Sequence, residues 1–105
     1  MTGFSGKMIF ALDIDNTWTA SPVLWYRFIE EAQSMGHTVI YATGRKEWTP
    51  DMDRMALRRD LQIVFCGDEP KRSVCERTGF KVDVWIDDMP AMVDGSLVIG
   101  NDEEL

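Results

Sequence analysis

The sequence predicts a single α/β domain built on a parallel β-sheet with helices on both faces. Three observations predict it. Short apolar runs alternate with segments of helical periodicity from residue 8 to residue 99. The runs are continuous rather than alternating apolar with polar, which is the pattern of strands covered on both faces. Finally, 105 residues give room for one domain, and 45% hydrophobic with 28% charged residues is a globular composition.

Met8-Ile9-Phe10-Ala11-Leu12 is the first strand and ends at Asp13. Ser21-Pro22 supplies an N-cap and a proline at the first helical position. Leu24, Trp25, Phe28, Ile29, Ala32 and Met35 follow at helical spacing, and Gly36 ends that helix. Thr38 to Ala42 is the second strand. Thr49-Pro50 opens another helix, with Asp51 and Asp53 favourable to its dipole and Met52, Met55, Ala56 and Arg59 as its inner stripe. Ile63 to Cys66 is the third strand, and Pro70 to Thr78 a short helix closed by Gly79. Val82 to Ile86 is the fourth strand, ending at Asp87-Asp88. Pro90 to Asp94 makes at most one helical turn, and Leu97-Val98-Ile99 is a short fifth strand. The domain is expected to span 1–105, with 1–6 and 101–105 as flexible ends.

Composition excludes several classes. No apolar run approaches the roughly 18 to 20 residues needed to span a bilayer, so no membrane partner is expected. Met1 to Lys7 lacks the charged start and apolar stretch of a signal peptide, which makes a cytoplasmic address the expectation. Cys66 and Cys75 form no CxxC pair and are expected as reduced thiols, not zinc ligands. Eighteen acidic against eleven basic residues give a net charge of −7, which argues against a sequence-independent grip on nucleic acid but leaves room for a local basic groove.

The polar residues of interest stand where apolar runs stop, and open parallel sheets bind ligands at the carboxyl ends of their strands. Asp13-Ile14-Asp15-Asn16-Thr17 leaves the first strand. Two carboxylates at i, i+2 suit metal binding or a nucleophile with an acid–base partner, although the same residues also make ordinary turns. Thr43-Gly44-Arg45 leaves the second strand. A hydroxyl, a glycine amide and a guanidinium there can hold a phosphate, or Gly44 can serve only the turn. Lys71 opens the third helix against its dipole, a position that fits a lysine meeting an anion; a solvated surface lysine is the plainer reading, and Arg72 and Lys81 compete for the role. Asp87-Asp88 ends the fourth strand. Adjacent carboxylates repel unless a cation compensates, and a hard divalent ion such as Mg²⁺ does so, while a solvated charged loop needs none. The order of the four sites along the chain, three of them at strand ends, is hard to credit to coincidence.

Taken together, these residues resemble the motifs of the haloacid dehalogenase superfamily of phosphotransferases. Asp13 to Thr17 resembles its first motif, DxDx[TV]; Thr43 matches the second, Lys71 the third and Asp87-Asp88 the fourth. The resemblance runs from about residue 8 to residue 99. It implies a three-layer Rossmann-like sandwich with five parallel strands in the order 5-4-1-2-3. It also implies Asp13 as a nucleophile forming an aspartyl-phosphate and Asp15 as general acid, then base. Mg²⁺ would be held by Asp13, the Asp15 carbonyl and Asp87 with or without Asp88. Thr43 and Lys71 would neutralise the phosphoryl oxygens, with Gly44 and Arg45 beside them. An anionic carboxylate approaches a phosphoryl group only where cations screen the repulsion, so this chemistry agrees with the residue types.

Family members usually carry a cap domain, inserted after the first motif or the third strand. Asn16 to Ser21 and Gly67 to Glu69 are too short to hold one, so the resemblance implies a capless phosphomonoesterase with an open site. Such a cleft suits a large substrate, a phosphoprotein or a nucleic-acid end, or needs a partner subunit in a homo-oligomer to close it. Trp85 to Pro90 also resembles the IDD segments of the family's nucleotidases and polynucleotide 3′-phosphatases, a pointer to a nucleotide-like substrate. Trp18, Trp48 and Arg45 either rim the cleft, where aromatics stack on bases, or pack on the scaffold. His37 reads as a surface residue, and Met52 and Met55 as core. The alternative function is a metal-binding regulatory module with little turnover. A phosphorylated receiver domain is set aside, because its acceptor Asp stands on the third strand, which here ends in Cys66-Gly67.

Overall fold

The computed structural model of the chain describes residues 6–95. Its elements are β1 (Ile9–Leu12), α1 (Pro22–Ser34), β2 (Thr38–Thr43), a single 3₁₀ turn (Pro50–Arg54), β3 (Ile63–Phe65), α2 (Lys71–Arg77), β4 (Val84–Ile86) and α3 (Ala91–Asp94). The strands form one all-parallel sheet in the order β3-β2-β1-β4. The expected five-stranded sheet in the order 5-4-1-2-3 is corrected to these four strands among the described residues. Leu97-Val98-Ile99, expected as a fifth strand, lie outside the described residues, as do the expected flexible ends apart from Gly6.

Successive residues of a strand point to opposite faces, and here each face carries its own core. On one face Leu12, Val39 and Tyr41 pack with Ile29 and Ala32 of α1, Met52 of the 3₁₀ turn, and Leu57 and Leu61. On the other, Ala11, Ile40, Ala42, Val64 and Cys66 pack with Val74 and Cys75 of α2. Burying both faces leaves no polar side of the sheet, which explains the continuous apolar runs. Complete burial of a side chain such as Ile29 or Ile40 contributes about 1.5 to 3 kcal/mol.

Two helical expectations are corrected. In α1, Trp25, Phe28, Ile29 and Ala32 face inward, but Leu24 and Met35 are 55% and 62% exposed. The apolar stripe is narrower than a hydrophobic count makes it. The helix expected after Thr49-Pro50 is one 3₁₀ turn. Ala56 takes a left-handed φ of 57° and is exposed, as is Arg59. Tertiary hydrogen bonds hold this segment out of a helix: Trp18 Nε1 donates to Met55 O at 2.7 Å, and Arg58 N donates to Tyr41 Oη at 2.9 Å. His37 is half-buried, its Nδ1 accepting from Met8 N at 3.0 Å and its ring edge-on to Phe10.

Candidate functional site

The register Leu12↔Ile86 brings the ends of β1 and β4 level, and Asp13 N donates to Ile86 O at 2.9 Å. Asp13 therefore stands beside Asp87. The chain then makes a wide turn over Ile14–Trp18, closed by Trp18 N donating to Asp13 O at 3.2 Å. Asn16 sits at its apex with φ 65°, a conformation that Asn tolerates better than most residues. The turn is held to α1 by Trp25 Nε1 donating to Thr17 O at 2.8 Å.

Lys71 lies at the centre. Its side chain is 5% exposed. Nζ donates to Asp13 Oδ1 at 2.8 Å, to Asp87 Oδ2 at 2.6 Å and to Ala42 O at 2.9 Å. All three ammonium hydrogens are thus satisfied. Thr17 Oγ1 lies 3.3 Å from Asp13 Oδ2 and 3.4 Å from Asp88 Oδ1, and accepts from Asp88 N at 3.2 Å.

Above this centre opens a cleft of about 240 Å³. The carboxylates of Asp13, Asp15, Asp87 and Asp88 line it, with Lys71 and Arg45 as its cations and Met89 and Met92 as its apolar wall. Asn16 and Gly44 complete the lining. At the rim, Arg45 Nε and Nη2 donate to the two oxygens of Asp15, each at 2.8 Å. Its other edge donates to Asp51 at 3.0 and 2.9 Å, and Nη1 also reaches Thr49 Oγ1.

The two regions perturb their carboxylates oppositely. Burial, then the hydrogen bond with Asp88, pushes Asp13 up to about 6 in spite of Lys71. Burial opposes the charge of Lys71, but Asp13 and Asp87 outweigh it and hold the ammonium above its usual range. Asp15 is held below its usual value by the hydrogen-bonded Arg45 guanidinium.

Carboxylate oxygens of Asp13, Asp87 and Asp88 lie within 4.8 Å of one another. Three carboxylates gather here around one ammonium, which bonds two of them. An all-oxygen donor set short of positive charge fits a hard divalent cation such as Mg²⁺.

Of the residues singled out from the sequence, Asp13, Asp15, Gly44, Arg45, Lys71, Asp87 and Asp88 all meet at this cleft. Thr43 does not line it. Its side chain is fully buried, and its hydroxyl accepts from Arg45 N at 3.1 Å. The Asp15 carboxylate stands apart from the acidic triad, on Arg45. Of the two tryptophans, Trp18 is core, 1% exposed and edge-on to Tyr41. Trp48 is outside the cleft lining, with Nε1 on Asp53 and Arg59 over its ring. The sequence reading gave no role to the Thr17 hydroxyl and took Asp51 for a helix-dipole residue. An i, i+4 spacing from Asp13 was the available signal for Thr17; nothing local marks Asp51 as a partner of Arg45. No helix among the described residues is long and apolar enough to cross a membrane. Comparison of the chain with protein-family models, with curated proteins and with solved structures finds no match.

Proposed function

We propose that the chain is a Mg²⁺-dependent phosphomonoester hydrolase of the haloacid dehalogenase type, acting through phosphorylated Asp13. One observation carries this reading: the Lys71 ammonium joins Asp13 and Asp87 at the floor of an open cleft, with Asp88 close enough to complete an oxygen cage. Mg²⁺, when held by Asp13, Asp87 and Asp88, would supply the positive charge that a carboxylate and a phosphoryl group need in order to meet.

The chain's own residues do the rest. Asp13, at about 6, is mainly a carboxylate at neutral pH, and so is available as a nucleophile. Its oxygen bonds to phosphorus as the bond to the leaving oxygen breaks. The leaving oxygen takes its proton from solvent, and Asp15, held as a carboxylate by Arg45, takes one from the water that cleaves the acyl phosphate, freeing inorganic phosphate and restoring Asp13. Lys71 offsets charge on the phosphoryl oxygens. The open cleft suits a large or nucleotide-like phosphoester, taken without a cap.

Purified protein with Mg²⁺ is expected to hydrolyse an aryl phosphate, and Asp13→Asn to abolish turnover; activity surviving in that variant removes Asp13 as nucleophile. A metal-binding module without turnover is the second reading. It is favoured by the engagement of both Asp13 oxygens, one by Lys71 and one by Thr17. Sustained hydrolysis of any phosphoester by the wild type excludes it.

A further inference from the structure

Arg45 looks at first like a phosphate ligand: it follows Gly44 at the end of β2 and lines the cleft. Its hydrogen bonds say otherwise. A guanidinium has five N–H donors. Here Nε and Nη2 serve Asp15, Nη1 and Nη2 serve Asp51, and Nη1 also serves Thr49. That is five bonds on five hydrogens, all to groups of the protein. An incoming phosphate gains an Arg45 donor only by expelling a carboxylate that already holds it.

Building on the phosphatase reading above, we propose that Arg45 is a positioning residue for Asp15, not a ligand for the substrate phosphate. The bidentate fork fixes the plane and both oxygens of the Asp15 carboxylate, which a single contact cannot do. Arg45 is itself fixed at three points. Thr43 Oγ1 accepts from its backbone N–H, and its carbonyl accepts from Gly67 N at 3.3 Å. Asp51, at the start of the 3₁₀ turn, clamps the far edge of the guanidinium. Asp15 follows the end of β1 in the wide turn, beside left-handed Asn16, and has no other side-chain partner among the described residues. Its place at the mouth of the cleft is thus set by the β2–β3 connection.

The experiment compares kcat and KM of the wild type, Arg45→Gln, Arg45→Lys, Asp15→Asn and the Arg45→Gln/Asp15→Asn double variant, with Mg²⁺, on a nitrophenyl phosphate and on an alkyl phosphate. Both esters form the same phosphorylated Asp13, whose hydrolysis needs a base. Arg45→Gln is expected to lower kcat by about 100-fold, the lower end for a displaced general base. On the aryl ester kcat/KM is kept, because phosphorylation of Asp13 precedes the step that Asp15 assists. Arg45→Lys recovers little, because an ammonium cannot fork. The double variant is no worse than Asp15→Asn alone. A raised KM on both esters with kcat kept, or losses that multiply in the double variant, overturns the proposal.

A second measurement needs no turnover. The ¹⁵N resonance of Arg45 Nε–H is expected to be protected from exchange in the wild type, exposed in Asp15→Asn, and unmoved by inorganic phosphate with Mg²⁺. An unprotected wild-type resonance, or one that phosphate shifts, also overturns it. Failure of the phosphatase reading shows separately, as turnover surviving in Asp13→Asn.

Discussion

Two cations at this cleft are each gripped between two carboxylates, and they live in different solvents. Lys71 sits between Asp13 and Asp87 with side chains 5, 8 and 4% exposed. Arg45 sits between Asp15 and Asp51 with side chains 21, 43 and 49% exposed. A neighbouring cation ought to lower both inner carboxyl groups. It does so at the rim, where the Arg45 hydrogen bonds hold Asp15 down. At the centre, burial and the second carboxyl, Asp88, win, and Asp13 rises to about 6. For Asp13, burial outweighs the charge of its partner.

The largest expected effect tests the dry centre. Lys71→Met removes the charge that two buried carboxylates depend on and is expected to cost about 3 to 5 kcal/mol in urea unfolding. A loss under about 1 kcal/mol would mean that the centre is as wet as the rim. Next comes the cation. Mg²⁺ at 100 times its dissociation constant is expected to stabilise the wild type by about 2.7 kcal/mol, and Asp13→Asn or Asp88→Asn should lose most of that gain.

The pH dependence of the metal-free protein has opposite signs in the two regions. Asp13 rises from 3.8 to about 6 on folding, so the native state binds the extra proton in that window. Stability from this group therefore falls as pH rises from about 4 to 6. Asp15 and Asp51 are depressed on folding, so their contribution is present above about 3.8 and is lost as pH falls through their lowered values. Thermal melts in chelator across pH 3 to 7 are expected to show both limbs, and Asp13→Asn to flatten only the upper one. The smallest effect is at the rim. Arg45→Gln is expected to cost about 1 kcal/mol or less in stability, and high salt to shrink that difference while leaving the Lys71→Met loss intact.

Strand ends were legible because a strand covered on both faces must be continuously apolar, so the polar residue that ends the run marks the sheet edge. Asp13, Thr43 and Asp87 all announce themselves this way. Lys71 was singled out only through the family resemblance, since its helix-start position left Arg72 and Lys81 as competitors. The rest was written in contacts between distant residues. The segment after Pro50 has good capping chemistry, yet Trp18 and Tyr41 hold its backbone by hydrogen bonds that no local pattern contains. The grip of Asp51 on Arg45 is equally silent in sequence, since both residues have ordinary local explanations. Thr43 shows the converse: its position was foreseen, but its hydroxyl faces the backbone of its own loop.

The sheet order carries a consequence for how the molecule comes into being. β1 lies between β2 and β4, so the chain lays down three strands before the fourth returns to the far side of the first. The bonds that complete the cleft join residues 58 and 71 positions apart, Lys71 to Asp13 and Asp88 to Thr17. Loops of that span are entropically slow to close, which makes their closure a late event on the pathway. A nascent chain that has reached only α2 lacks Asp87 and Asp88. An ion held by all three carboxylates therefore requires β4 to be in place beside β1.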